Sequence, residues 1–291
     1  MAKKKLLWGA VMAIFLASCG APKVLTTQKT EATNFEATGN YSQAVTAWAS
    51  YFETTANEEV AGADFAQAAK TAFKAENSAQ AISWFDQARY KNYADAEMYQ
   101  TLAAIYKQED NLSKELSALE YIIENYGTDN NDVNSRLLAI YTEIDANDKA
   151  LAVWETLDSE SKNTEANLDN YFTVNKALEN EAVCDSLAKV LLEKNPEHLN
   201  ALDWNARKYY WAGQNRYERE MAIYNANKTR KNYNTLLKEL DLVTADFKKA
   251  LPYLNKLWKA KPGKVYAGYL ANIYARFGDE EKTDYYKNYM K

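Results

Sequence analysis

The side chains suited to acid–base, nucleophilic or metal chemistry are few. There is one histidine, His198, and there are two cysteines, Cys19 and Cys184. His198 follows Asn195-Pro196-Glu197 at a turn, where a surface or helix-starting histidine is the ordinary role. One imidazole and one free thiol cannot furnish a zinc site without several carboxylates. No HExxH, CxxC, GxSxG, GxGxxG or GxxxxGK(S/T) occurs. With 40 acidic residues carboxylate pairs are unavoidable, and no spacing singles one out. Catalysis needs convergent, mutually placed groups. The expectation is therefore a non-enzyme with no catalytic residue, no metal ligand and no cofactor, and the residues to examine are those that could bind.

Charge marks them. From Cys19 to Trp204 there are 14 Lys and Arg against 31 Asp and Glu, a balance of −17. From Asn205 to Lys264 the count is 14 against 5, a balance of +9, with Arg207, Lys208, Arg216 and Arg219 at its start and Trp204 and Trp211 beside them. Two readings stay open: a solvated surface that keeps the protein soluble, or a docking site for an acidic partner such as a protein segment or an anionic glycan. Nucleic acid is disfavoured, because most of the chain would repel phosphate.

The N-terminus reads as an address. Lys3 to Lys5 precede an apolar run of 11 residues, Leu6 to Leu16, too short to span a bilayer as a helix, which predicts a signal peptide over residues 1–18. Leu16-Ala17-Ser18-Cys19 resembles the lipobox of bacterial lipoproteins. The resemblance implies cleavage before Cys19, a diacylglycerol on its thiol, a tether over residues 19–25 and a membrane anchor. Gly20 rather than Asp after the cysteine implies sorting to the outer membrane, facing the periplasm of a Gram-negative cell. Cys184 is then left without a disulfide partner and reads as a small buried hydrophobe.

The elements that carry these residues are helices with a fixed period. Ala44, Ala81, Glu115, Ala150, Cys184, Ala250 and Thr283 lie 37, 34, 35, 34, 66 and 33 residues apart, the gap of 66 being two periods. Four residues after each stands Trp48, Phe85, Leu119, Trp154, Ala188, Leu254 or Lys287, and offsets of four and seven define one helical stripe. Twelve residues earlier Ala32, Ala69, Ala103, Leu138, Phe172, Lys238 and Ala271 mark a first helix. Between the two, Gly39, Glu76, Asp110, Asp145, Glu179, Ala245 and Gly278 mark a tight turn, often followed by Asn or Asp that can cap the second helix. Such units bury their apolar faces only by stacking. With 22 Tyr but only 9 Gly and 4 Pro, the composition is that of an ordered helical protein.

Tyr99-x2-Leu102-Ala103-x2-Tyr106, Gly39-Asn40-Tyr41-x2-Ala44-Val45-x2-Trp48 and the closing Asn195-Pro196 and Lys261-Pro262 are similar to the tetratricopeptide repeat (TPR) pattern. The resemblance implies an all-α, right-handed solenoid of about eight helix-turn-helix repeats over residues 26–291. The unit at about 198–229 matches worst. The resemblance also implies a concave face of first helices that binds extended peptides or helices, placing Asn205, Tyr209, Ala212, Asn272 and Arg276 there. The expected function is a membrane-anchored scaffold for protein partners. Alternatives are a peptidoglycan- or glycan-binding envelope protein and an all-helical envelope enzyme.

Overall fold

In the computed structural model, which describes residues 21–290, the expected turn positions adopt left-handed backbone. Gly39, Glu76, Asp110, Asp145, Glu179 and Gly278 have φ between 53° and 75°. At each of the six turns the N–H of the next residue donates to the carbonyl five residues back: Asn40 to Phe35, Asn77 to Ala72, Asn111 to Tyr106, Ala146 to Tyr141, Asn180 to Asn175 and Asp279 to Tyr274. This closure satisfies carbonyls that a helix end leaves free. Asn77 and Asn111 then accept from the N–H of Gln80 and Lys114 and cap the following helix, whereas Asn40 and Asn180 make no such bond.

The described residues are helical and fall into two units, the first ending at Gly127. It holds three antiparallel hairpins: α1 (Ala21–Ala37) with α2 (Tyr41–Thr54), α3 (Gly62–Lys74) with α4 (Ser78–Tyr90), and α5 (Ala96–Gln108) with α6 (Leu112–Tyr126). The repeat stripe is its core: Ala44, Trp48, Ala81, Phe85, Leu119 and Ile122 are buried against Ala32, Ala69 and Ala103. Each large apolar side chain so buried contributes about 1.5–3 kcal/mol. Polar bonds link successive hairpins. The Glu36 carboxylate, which also accepts from Trp48 Nε1 of its own hairpin at 2.6 Å, accepts from Gln67 Nε2 of the next at 2.7 Å, and Lys29 pairs with Asp64 at 2.6 Å.

The second unit begins at Thr128. It contains α7 (Asn131–Glu143) with α8 (Asn147–Thr156), the single turn α9 (Ser159–Lys162), α10 (Glu165–Ala177) with α11 (Glu181–Lys194), α12 (Leu199–Ala226) with α13 (Arg230–Ala260), and α14 (Lys264–Phe277) with α15 (Glu280–Met290). Ala150, Cys184, Ala250 and Thr283 are again buried. In α15, Thr283 and Tyr286 face inward, while Glu281, Lys282, Asp284 and Lys287 are exposed and give the closing helix a polar flank, beside exposed Tyr285, Tyr289 and Met290.

One expectation is corrected. The gap of 66 residues holds one hairpin of double length, not two repeats: α12, of 28 residues, spans the unit expected at about 198–229, and α13, of 31, passes unbroken through the turn expected at Ala245. Ala245 is helical, and Lys238, expected in a first helix, is exposed on α13. Helix α1 begins at Ala21, inside the segment 19–25 expected as a lipid-bearing tether. The predicted signal peptide and Cys19 lie outside the described residues.

Candidate functional site

Helix α12 carries most of the candidate residues, and its start is set by His198. The imidazole is buried, its Nδ1 accepts from the N–H of Ala201 at 3.4 Å, and Nε2 stands 3.5 Å from Asp169. It is a helix-starting residue as expected, but not a surface one. Cys184 is fully buried; burial pushes its thiol pKa up, and its Sγ lies 4.0 Å from the carbonyl of Phe172. Neither residue is placed to react with a solute.

Along α12 the candidates separate by angle. Asn205, Tyr209 and Ala212 share one stripe, Arg207, Trp211 and Gln214 another, and residues two apart on a helix point to nearly opposite sides. The first stripe faces α11 and α13. Two adjoining clefts there, of about 470 and 410 Å³, share Leu192, Tyr209 and Tyr253; Asn205 and Lys208 line one, Pro252 and Lys256 the other. Tyr209 and Tyr253 stack with centroids 6.1 Å apart, and the Lys249 ammonium stands 5.7 Å from the Tyr209 ring. Lys256 donates to the Pro196 carbonyl at 2.7 Å and pairs with Glu197 at 3.1 Å. At the rim Trp204 Nε1 donates to Asp185 at 2.9 Å and Lys208 pairs with the same carboxylate. Burial opposes ionisation of Asp185, but the hydrogen bonds from Lys208 and Trp204 outweigh it and hold its pKa below the usual carboxylate value.

The second stripe faces α14. The Arg207 guanidinium lies 5.7 Å from the Tyr269 ring and pairs with Asp203 at 2.8 Å, while half-exposed Trp211 meets Tyr269 edge-on. Arg276 stacks on Tyr217 at 3.6 Å and donates to Gln214 at 3.0 Å; Asn272 donates to Gln214 and to the Tyr210 hydroxyl. Asn272 and Arg276 thus act in packing α14 on α12, and they do not share the stripe of Asn205 and Tyr209. The single concave face assigned to all five residues is divided between two flanks.

The four leading cations are already engaged. Besides Arg207 and Lys208, Arg216 donates to Glu239 at 2.8 Å with its Nε 3.5 Å from Asp246, and Arg219 donates to Glu220 at 2.8 Å. Of the other cations in the basic segment, Lys228, Arg230 and Lys231 fall at the turn of the long hairpin and Lys238 about two turns into α13, and none of them makes an ion pair with a described residue. The signal for them was the absence of any Asp or Glu from Met221 to Lys238. Among the described residues no three of His, Cys, Asp and Glu are gathered as a metal ion would require.

No family model matches the chain, and no curated protein sequence does. Solved structures do. One is YrrB, a TPR protein with an unusual peptide-binding site, with 13% identity and a TM-score of 0.50 over 64% of this chain and 98% of that one. The C-terminal part of a TPR repeat-containing protein from Cytophaga hutchinsonii has 13% identity and a TM-score of 0.50 over 90% of this chain and 93% of its own. A putative protein binding protein from Bacteroides ovatus has 17% identity and a TM-score of 0.50 over 76% and 100%. At these identities the likeness is one of fold, and the fold of this chain is the all-α helical-hairpin repeat of the TPR proteins.

Proposed function

We propose that the chain is a membrane-anchored scaffold that holds protein partners in a bacterial cell envelope, tethered through a lipid on Cys19 at the periplasmic face of the outer membrane. The carrying observation is how the side chains are used. The repeat stripe is consumed in stacking hairpins, the His and the described Cys are buried, and what faces solvent is a set of open clefts and helix flanks with aromatic walls. Such surfaces bind extended segments or helices. YrrB, of the same fold, has a peptide-binding site, which agrees with this reading. A second reading, contact with peptidoglycan or another glycan, is favoured by one feature: the stacked Tyr209 and Tyr253 in a shared cleft can lie against sugar rings.

Reversible cross-linking in cells followed by purification of the tagged full-length chain tests the proposal. One or a few proteins should co-purify at constant ratio. Recovery of no protein above an untagged control, together with binding or cleavage of cell-wall fragments, would contradict it. For the anchor, Cys19→Ser should release the chain from the membrane fraction or leave its signal peptide uncut; a variant that is processed normally and stays membrane-bound refutes the lipid.

A further inference from the structure

Residues 218–242 form the outer part of the α12–α13 hairpin. On this hairpin the buried cluster shared with α14 ends at Val243, with Tyr217 packed against it; farther out Leu236 is buried, and α14 stops at Phe277. Farther out, the described side-chain hydrogen bonds and ion pairs stay inside the hairpin: Glu218 with Gln214, Glu239 with Arg216, Glu220 with Arg219, and Asn232 with Asn227 and Thr229.

This overhang is not simply polar. Offsets of four and seven set Tyr217, Met221 and Tyr224 on one stripe of α12, and Tyr233, Leu237 and Leu240 on one stripe of α13. The rings of Tyr224 and Tyr233, with centroids 5.9 Å apart, join the two stripes near the turn. Tyr233 and Leu237 are 46% and 45% exposed. The flank is continuous with the surface that α14 already covers, because Arg276 of α14 stacks on Tyr217, where the α12 stripe begins. Its inner half has received a helix and its outer half has none. Charge adds a preference: Lys228, Arg230, Lys231 and Lys238 border the flank, with no carboxylate from Met221 to Lys238.

We propose that this outer flank docks an amphipathic α-helix of another protein, lying in line with α14, apolar side on the Tyr233–Leu237–Leu240 stripe and acidic residues toward Lys228, Arg230 and Lys231. The proposal rests on the scaffold reading and gives it a place and a ligand chemistry. From Tyr217 to the turn the flank runs about 15 Å, room for about three helical turns at 1.5 Å per residue. Two copies of the tip face to face would bring like charges together. An anionic membrane fits less well, because the turn itself, Asn225 to Asn232, has no large apolar side chain to insert.

The test places photoreactive p-benzoylphenylalanine at Leu237 of the full-length chain in its native cells, with Leu242, as exposed but off the stripe, and cleft residue Tyr209 as comparison positions. Irradiation at Leu237 should yield an adduct whose sequenced peptide comes from another protein, has apolar residues at helical spacing and is net acidic. The triple variant Lys228→Glu, Arg230→Glu, Lys231→Glu, confirmed to be as helical by circular dichroism, should cut its yield at least tenfold. Adducts only with lipid or with this same chain, no adduct, or a yield unmoved by charge reversal would each overturn the proposal. If partner adducts form at Tyr209 and not at Leu237, the docking flank is wrong and the scaffold stands; if no position captures a protein, both fall.

Discussion

Asp185 takes hydrogen bonds from both Trp204 and Lys208, and its lowered pKa makes that sharing measurable. Lys208→Met should raise the Asp185 pKa toward 3.8, followed by the pH dependence of its carboxyl carbon signal. A folded-state pKa below the unfolded value adds stability that is present above about 3.8 and is lost as pH falls through the lowered value. The gain is small, because both partners are more than a third exposed: Lys208→Met should cost under about 1 kcal/mol at neutral pH and nothing in strong acid. Cys184 gives a second residue-scale expectation. A thiol reagent should label it only as the chain unfolds; labelling of the native protein within minutes would contradict its burial. The buried role of Cys184 was legible from its place in the stripe. The burial of His198 was not, since Asp169, which faces it, lies 29 positions earlier and no local pattern joins them.

Among elements, the turns were legible because they obey local backbone chemistry. Six of the seven positions marked by the period are left-handed, four of them without glycine. Gly39→Ala should cost about 1 kcal/mol in chemical denaturation, since the strain lies in the backbone and an added Cβ would meet nothing. The exception, Ala245, explains what was misread. Apolar residues at helical spacing occur equally in two short hairpins and in one long one, so the gap of 66 residues could not distinguish them. Gly213, inside α12, permits close approach of α12 to α13: an added Cβ would lie 3.0 Å from the ring of fully buried Phe247 and 3.3 Å from the Val243 carbonyl. Gly213→Ala gains about 1 kcal/mol of helix propensity. Overpacking against a ring that cannot retreat costs about 1–3 kcal/mol, so the variant should melt at lower temperature than the parent. A higher melting temperature would mean that the long helices are not clamped at Gly213.

At the scale of the whole molecule, the helical-hairpin fold was legible in the period, and the candidate site only partly so. Composition pointed to the stretch after Trp204, but contacts decide which of its cations are engaged, and contacts between residues some 60 positions apart, such as Arg276 with Gln214, leave no trace in a linear pattern. Of the 14 cations from Asn205 to Lys264, Arg207, Lys208, Arg216 and Arg219 proved to be engaged in ion pairs, two of them with carboxylates 23 positions away, whereas Lys228, Arg230 and Lys231 at the hairpin turn pair with no described residue. The measurement that bears most directly on a scaffold role is calorimetric titration of the purified full-length chain with the protein recovered by cross-linking. Saturable binding at a fixed stoichiometry, weakened by salt, is expected. Absence of binding to any recovered protein, with saturable binding or turnover of cell-wall fragments instead, would contradict it.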